Sequence, residues 1–518
     1  MKGFMLLPWW CWRRGRTMRH NQIWSVEEAR HYDRRTQDFG VGFLSLMEVA
    51  GAKAAARWGT QLPKGRGLVL AGPGHNGGDA LVVARYLARD HDTDVCFPLA
   101  EPQFAGAKGL KQAAIAYGAR VVAVDDVIPS VAHYAWVVDG IFGTGFHGNL
   151  DPTVAQIFEA ISAAGTAMYV LDILSGVDAD SGAYQGPPLA IASTVTFGGA
   201  KWGHFGYPGA LYTGPLTIAD IGLEWPTNGD GWISPKWAYD HRPVLAVGAH
   251  KYQRGRVAVV GGSVAMTGAP VMAGMAALRA GAGLVQLIVP HKARRRMAVP
   301  EPLMVWPSTG RGLLTTQDLE QLMRADVIIF GPGMGRETGV LALEQVVGLG
   351  KPLIVDADGL YWLAKRPDLR LPARSLLTPH SGEMGMLLGI SAAVVDHNRV
   401  SAFHQAYRRY QTTLVLKGLY TLTGDAQILV NTANTPVLAT AGSGDVLSGI
   451  VAGILASAPQ MSSAQAAALA TYVHGWSGIH AARHHGRSVV ATDLIECLGQ
   501  AWHSVETEEE PPQLPQWI

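Results

Sequence analysis

Residues 440–449, Thr-Ala-Gly-Ser-Gly-Asp-Val-Leu-Ser-Gly, constrain this chain more than any other stretch. A turn of small residues, Gly442, Ser443 and Gly444, runs directly into an apolar helical segment that begins Val446-Leu447. A glycine-rich turn that opens a helix leaves the first backbone N–H groups unpaired. Together with the positive end of the helix dipole they form an anion site. Asp445 stands in that first turn. A carboxylate beside a phosphate is an unfavourable pairing unless it works, and the work that fits is taking a proton from a hydroxyl as it attacks phosphorus. The loop therefore reads as a phosphoryl-transfer site. The plainer alternative is a helix start with a small-residue turn and an acid that favours the dipole.

Many of the 62 glycines fall just after short apolar runs, the pattern of α/β proteins whose strand-to-helix turns hold ligands. With 518 residues, 48% of them hydrophobic, the chain is long enough for several cores; roughly 150 residues per domain implies two to four. A formal net charge of +1 gives no basic field for nucleic acid. Cys11, Cys96 and Cys497 form no Cys-x-x-Cys pair, so neither a disulfide framework nor a zinc site is expected, and a reducing, cytoplasmic setting is natural. The adjacent His484-His485 pair reads as a surface feature. Residues 1–20 carry a short apolar stretch that ends in Trp12 and Arg13-Arg14. It is too short for a membrane span and lacks a small-residue cleavage site. We read it as a disordered extension, or as sequence ahead of a true start at Met18. No later run offers about 18 uninterrupted apolar residues, so no membrane span is expected.

Two blocks follow, at residues 21–224 and 250–504, each opening with its own strand–glycine–helix unit. In the first, residues 25–58 read as helical, 68–71 as a buried strand, 72–78 as a loop and 79–89 as a helix. Further strands are expected at 136–138, 168–171 and 194–197. Residues 225–249, rich in Pro, Gly and Asn, read as a linker. In the second block strands are expected at 256–260, 327–330, 353–355 and 413–416. Residues 505–518 read as an acidic, proline-rich and disordered tail.

In an open parallel sheet ligands bind beyond the carboxyl ends of the strands. Four such ends in the first block carry suggestive groups: the glycine loop 72–79, Asp139, Asp172, and the stretch from Phe197 to Lys201. Three of these motifs resemble the YjeF N-terminal domain, the epimerase of hydrated NADH and NADPH. They are Gly72-Pro73-Gly74-His75-Asn76-Gly77-Gly78-Asp79, Val138-Asp139-Gly140-Ile141-Phe142-Gly143-Thr144-Gly145, and Leu171-Asp172-Ile173-Leu174-Ser175-Gly176-Val177-Asp178. The resemblance implies a Rossmann-like three-layer sandwich and a potassium ion held by Asn76, Asp139 and Ser175. It implies substrate contacts from His75, Asn76, Gly77, Gly78 and Asp79, from Gly143-Thr144-Gly145-Phe146-His147-Gly148-Asn149, and from Asp172. Oxygen ligands suit a hard cation. Asp172 is the expected proton-handling group. Two positions depart from the family: Leu174 stands where Pro is usual, which puts the stiffness of that loop in question, and Val49 stands where Asn is usual, so no role passes to it.

The second block adds Gly261-Gly262-Ser263, Gly331-Pro332-Gly333-Met334-Gly335, Asp356-Ala357-Asp358, Thr378-Pro379-His380-Ser381-Gly382-Glu383 and Lys417-Gly418, each at an expected strand end. Singly these are turns and caps. With the loop 440–449 they resemble the ribokinase-like superfamily, and within it the ADP-dependent NAD(P)H-hydrate dehydratases. The whole chain thus resembles the bifunctional NAD(P)H-hydrate repair family, an epimerase fused to a dehydratase. The resemblance implies substrate contacts at Ala269, Gly333, His380 and Asp445. It implies nucleotide contacts at Lys417-Gly418-Leu419-Tyr420-Thr421 and at Gly442, Ser443 and Gly444. Asp445 is then the base that lets the hydrate's C6 hydroxyl attack the terminal phosphoryl of ADP. Mg²⁺, Lys417 and the loop N–H groups would hold the developing charge.

The partners so implied are the small molecules NADHX, NADPHX and ADP, without nucleic acid or membrane; a homo-oligomer is left open. Three rivals stand beside this reading. They are a ribokinase-like kinase of a sugar or hydroxymethylpyrimidine fused to a ligand-binding domain, a YjeF-type scaffold in RNA metabolism, and a dehydrogenase. The last lacks a clean Gly-x-Gly-x-x-Gly with its acidic ribose partner.

Overall fold

The computed structural model describes residues 21–224, 229–245, 247–310, 312–337, 339–512 and 514–518. The expected extension at residues 1–20, with Met18, lies outside the described residues. The chain divides into two compact units, residues up to 230 together with 515–518, and residues 231–514.

The first unit holds a parallel sheet of eight strands. Its order is Gln516–Trp517, Leu216–Ala219, Ile191–Phe197, Met168–Leu171, Trp136–Gly140, Gly67–Ala71, Thr93–Cys96, Arg120–Val122. The chain builds outward from Gly67–Ala71 in one direction, then returns to Trp136–Gly140 and builds the other way. The crevice between those two strands is the topological switch point, where open α/β sheets bind ligands. Central strands such as Gly67–Ala71 are buried along their whole length, as a sheet covered on both faces requires. Trp24, Trp58 and Trp136 are fully buried around it.

The second unit repeats the logic on a larger scale. Its ten-stranded sheet runs Gly231–Trp232, Ile428–Val430, Leu422–Gly424, Thr413–Leu416, Leu376–Leu377, Leu353–Val355, Val327–Phe330, Arg256–Val260, Leu284–Pro290, Met304–Ser308. The switch point lies between Arg256–Val260 and Val327–Phe330. The helix Ser443–Ser457 is almost entirely buried and packs on Gly268–Arg279. A Cβ at Gly449 would stand 2.2 Å from the Ala273 carbonyl oxygen, so the two helix backbones touch there. That contact fixes where the helix, and Asp445 in its first turn, meets the sheet.

The expected strands lie where they were read, but several expectations need correction. The helical stretch 25–58 is two helices, Val26–Asp38 and Phe43–Gly59, broken at Gly40, whose φ of 95° a helix does not accommodate. The helix expected from Asp79 begins at His75, so half of the supposed loop is its first turn. Within the expected linker, residues 225–228 and 246 lie outside the described residues. Residues 231–241, however, are a strand and a helix of the second unit: Gly231–Trp232 pairs with Ile428–Val430, and Pro235–His241 is capped by the Ser234 hydroxyl. Ser followed by Pro is a helix-start signal. The tail is not featureless either. Glu509 accepts a hydrogen bond from Ser504 Oγ (2.6 Å), and Gln516–Trp517 pairs with Leu216–Ala219 at the edge of the first sheet.

Candidate functional site

At the first switch point a cavity of about 440 Å³ opens, and it gathers His75, Asn76, Asp79, Gly143, Thr144, Gly145, Phe146 and Asp172. Other residues expected to touch substrate lie elsewhere. A Cβ at Gly77 would stand 1.9 Å from the Gly72 carbonyl oxygen, and one at Gly78 would meet Met47. Backbone packing thus demands glycine at 77, while at 78 the neighbours are side chains, Met47 and Phe104. His147, Gly148 and Asn149 are exposed and do not line the cavity, and His147 Nδ1 instead lies 3.0 Å from Asp178. His75 is packed between Phe43 and Phe104, and burial lowers its pKa.

Asp172 sits at φ +65°, a left-handed conformation that non-glycine residues adopt at a cost and that tends to mark functional sites. Its Oδ1 accepts from Lys201 Nζ (2.6 Å) and Thr196 Oγ1 (2.8 Å). The other oxygen, Oδ2, faces the loop at Gly143, 3.2 Å from where a side chain there would begin. Burial pushes this carboxyl upward. Lys201's charge and hydrogen bond, with Thr196, outweigh it and hold Asp172 ionised below its ordinary value. Asp79 goes the opposite way: burial, then Asp172 and Asp33, push it well above the carboxylate range against Lys201. The site therefore sets a charged carboxylate beside one that keeps its proton. His204 completes the floor. Its Nδ1 accepts from the Lys201 backbone N–H (3.0 Å) and its Nε2 donates to the Asp172 carbonyl (2.9 Å), the pattern of a neutral ring. Burial, with Lys201 adding, lowers its pKa to about 4.

Beside the cavity, Asn76, Asp139 and Ser175 come together. Ser175 donates to Asp139 through both its N–H and its hydroxyl (each 2.7 Å), and Asn76 Nδ2 donates to the carbonyls of Phe142 (2.8 Å) and Leu171 (3.2 Å). Asn76 Oδ1 is buried without a partner. Burial pushes the Asp139 carboxyl up to about 6. An orphaned amide oxygen next to a destabilised carboxylate and a hydroxyl is a donor set that fits a hard monovalent cation.

In the second unit the ends of successive strands bring together Asp356, His380, Lys417 and the loop at Asp445. Lys417 Nζ donates to Asp356 Oδ1 (3.1 Å) and lies 3.6 Å from Glu383. A Cβ on Gly444 would stand 3.3 Å from the same ammonium, which places Lys417 at the helix mouth. Asp356 also accepts from Ser448 Oγ (2.6 Å). No side chain caps the helix Ser443–Ser457, and Gly442 precedes it at φ +89°. Burial, followed by the charges of Asp356, Asp358 and Glu383, pushes Asp445 up to about 7 against the pull of Lys417. Such a carboxyl is poised to exchange a proton at neutral pH. Ser443 Oγ lies 3.1 Å from Nε2 of the buried His474. Gly333 packs on Ala269, 3.1 Å from where a side chain would begin, so those two expected substrate contacts share one wall. His380 caps the helix Ser381–Leu388, its Nδ1 accepting from Gly382 N (3.0 Å), while the ring stays exposed. Gly418 and Leu419 are exposed, and Tyr420 and Thr421 are partly so. The buried Arg399 braces this stretch from beneath by donating to the carbonyls of Leu416, Lys417 and Tyr420.

Sequence reasoning assigned no role to Lys201, Thr196, His204, Arg30 or Asp33 in the first unit, nor to Arg399, Ser448 or His474 in the second. Lys201 had a signal, its place just after a strand, and Thr196 and Ser448 lie in or beside motifs already singled out; Arg30, Asp33, Arg399 and His474 reach their sites from other parts of the chain.

Residues 44–203 match the family model described as YjeF-related protein N-terminus, and residues 257–500 match that described as NAD(P)H-hydrate dehydratase. The bifunctional NAD(P)H-hydrate repair enzyme of Moorella thermoacetica is 34% identical over 92% of this chain and 95% of its own length. That of Escherichia coli is 32% identical over 92% and 93%. A crystal structure of the ADP/ATP-dependent NAD(P)H-hydrate dehydratase of Bacillus subtilis, co-crystallised with ATP and Mg²⁺, is 24% identical, with a TM-score of 0.48 over 54% of this chain and 100% of that one. With relatives this similar along nearly its whole length, an epimerase unit in front and a dehydratase unit behind, the chain belongs to the family of bifunctional NAD(P)H-hydrate repair enzymes.

Proposed function

We propose that the second unit dehydrates the S hydrate of NADH or NADPH at the expense of ADP, and that Asp445 is its base. The observation that carries this reading is Asp445 itself, a carboxyl raised to about 7 in the first turn of an uncapped helix and close to Lys417. Asp445 accepts the proton of the C6 hydroxyl as its oxygen attacks the terminal phosphorus of ADP. The P–O bond to AMP breaks, and AMP leaves. The phosphorylated hydrate then loses phosphate, a far better leaving group than hydroxide, from C6 and a proton from C5 to solvent, and the C5–C6 double bond of NAD(P)H is restored. Lys417 and the N–H groups of Gly442-Ser443-Gly444 stabilise the phosphoryl oxygens. Ala269, Gly333 and His380 hold the substrate, and Gly418-Leu419-Tyr420-Thr421 hold the nucleotide.

Mg²⁺ fits this site. Asp356, Asp358, Glu383 and Asp445 raise the negative charge around one ammonium. Among the described residues no three acidic or histidine side chains form a ready cage, which suits an ion held largely by phosphates. Glu383 and Asp356 would hold it. When bound it neutralises phosphate charge.

The first unit interconverts the R and S hydrates, so that both reach a dehydratase able to present only one face to Asp445. Asp172 handles the proton there, through a ring-opening or transient-dehydration route. K⁺ would be held by Asn76, Asp139 and Ser175, and when bound it supplies a fixed charge that steadies the loops carrying Gly143 and Asp172. Free, buried Cys96 and Cys497 fit a reducing compartment, and we place the reaction in the cytoplasm.

The experiment is the Asp445→Ala chain. It should form no AMP and recover no NADH from the S hydrate, while interconversion of R and S continues. A variant that still released AMP in step with NADH would remove Asp445 from the mechanism. Release of a stable phosphorylated product by the parent chain would favour a kinase.

A further inference from the structure

The helix Val26–Asp38 precedes the span 44–203 matched by the family model, yet it supplies part of the cavity wall in the first unit. It is firmly seated. Ser25 N donates to Glu28 Oε2 (2.8 Å) while Ser25 Oγ accepts from Glu28 N (3.2 Å), a reciprocal cap. Val26 N donates to Asp180 Oδ1 (2.8 Å), and the strand Ile23–Trp24 pairs in parallel with Ala200–Lys201, Trp24 opposite Lys201. The buried Val26 and Ala29 turn one face inward, and on the same helix Arg30 and Asp33 line the cavity.

Arg30 has no ion-pair partner among the described residues. Its Nη2 lies 3.8 Å from where a side chain on Gly145 would begin. At the other end of that short loop, a side chain on Gly143 would begin 3.2 Å from Asp172 Oδ2. Two peptide units thus separate the acidic floor from a cationic rim. The floor carries the ionised Asp172 beside Asp79, which keeps its proton, and its one ammonium, Lys201, is already bonded to Asp172, Thr196 and the Phe197 carbonyl. A hydrated dinucleotide brings phosphate esters that stay anionic at neutral pH. Lys201, spent on Asp172, leaves the floor no charge to hold them, so a second cation must stand at the distance the ribose imposes between ring and phosphate. Among the described cavity-lining side chains Arg30 alone offers an uncommitted cation, and a guanidinium fork matches phosphate oxygens in pairs.

We propose that Arg30 binds a phosphate of the hydrated dinucleotide, so that the segment ahead of the matched domain completes the epimerase site. The inference rests on the epimerase reading above. Because the phosphate does not react, its contact is made equally in ground and transition states and is read in KM with kcat little changed.

The test uses the full chain without nucleotide, so that dehydration cannot consume product, and follows R-to-S interconversion of NADHX and of NADPHX. Arg30→Ala should raise KM roughly tenfold to a hundredfold, the loss of one charge-assisted contact. Arg30→Lys should recover part of it, and salt should weaken the parent chain until the difference narrows. A loss shared by both substrates assigns the pyrophosphate; a loss confined to NADPHX assigns its 2′-phosphate. Arg30 is exposed and unpaired, so melting should not change, and Arg30→Gln, which keeps most of the side-chain bulk, should behave as Arg30→Ala does. Unchanged KM for both substrates overturns the proposal, as does a fall in kcat alone. Failure of the parent chain itself to interconvert the hydrates would instead overturn the epimerase reading and take the proposal with it.

Discussion

At the scale of single residues, the two proposed catalytic carboxylates sit in opposite electrostatic settings. Lys201 holds Asp172 ionised, whereas burial and three neighbouring acids hold a proton on Asp445 up to about pH 7. A base must be ionised to work, so kcat/KM for dehydration should fall as pH drops below about 7; a profile flat to pH 5 would show that another group takes the proton. The same shift has a consequence for stability. The folded chain holds the Asp445 proton between the ordinary carboxylate value and about 7, where the unfolded chain has released it. Stability is therefore lost as pH rises through that window. Asp445→Asn should raise the ligand-free melting temperature at pH 8 and change it little at pH 4. Asp172→Ala should leave dehydration of the S hydrate intact and strand the R hydrate. It also leaves Lys201 buried without its carboxylate, at a cost of about 3 kcal/mol to the first unit. Unimpaired turnover of the R hydrate would remove Asp172 from the mechanism. Asp172, directly after the strand Met168–Leu171, and Ala357, two residues after Leu353–Val355, are both non-glycine residues at positive φ. No local sequence signal marks either one, because the surrounding fold imposes the conformation.

At the scale of elements, close backbone approach explains glycines that a motif alone would assign to ligand contact. Gly77→Ala drives a Cβ onto the Gly72 carbonyl, and a backbone neighbour cannot swing aside as a side chain can. We expect a loss of about 3 kcal/mol or more in denaturant unfolding of the first unit. Gly74→Ala meets nothing within 4 Å and should fold normally. Equal stability of the two variants would return Gly77 to the ligand. This is also where the sequence was least legible. Fully buried strands such as Gly67–Ala71 and Val327–Phe330 announce themselves as short apolar runs ending in glycine. The edge strand Arg120–Val122 is largely exposed and carries no such run. The helix at Pro235 was hidden among residues whose composition reads as a linker, although Ser234 caps it. The start at His75 was missed because glycines weigh against a helix on propensity, and here tertiary packing overrides propensity.

At the scale of the whole molecule, one chain carries two open sheets, and in each the strand-end motifs bring polar groups together past the carboxyl ends of the strands, where such sheets bind ligands. What stayed hidden is what comes from far away in the chain, Arg30 and Asp33 from the first helix, His204 from beyond the third motif, and Arg399 under the nucleotide loop. If K⁺ fills the place beside Asn76, replacing it with tetramethylammonium should lower the melting of the first unit and leave the second unmoved; no shift would leave Asn76 Oδ1 without its ion. No helix among the described residues is long and apolar enough to cross a membrane. The most direct test incubates the intact chain with mixed R and S NADH hydrates, Mg²⁺, K⁺ and either ADP or ATP, and follows the near-ultraviolet absorbance of the restored dihydronicotinamide ring. Recovery of both epimers with ADP, one AMP appearing for each NADH, is the result predicted. Recovery of S alone would contradict the account of the first unit, and no recovery with either nucleotide would contradict repair itself.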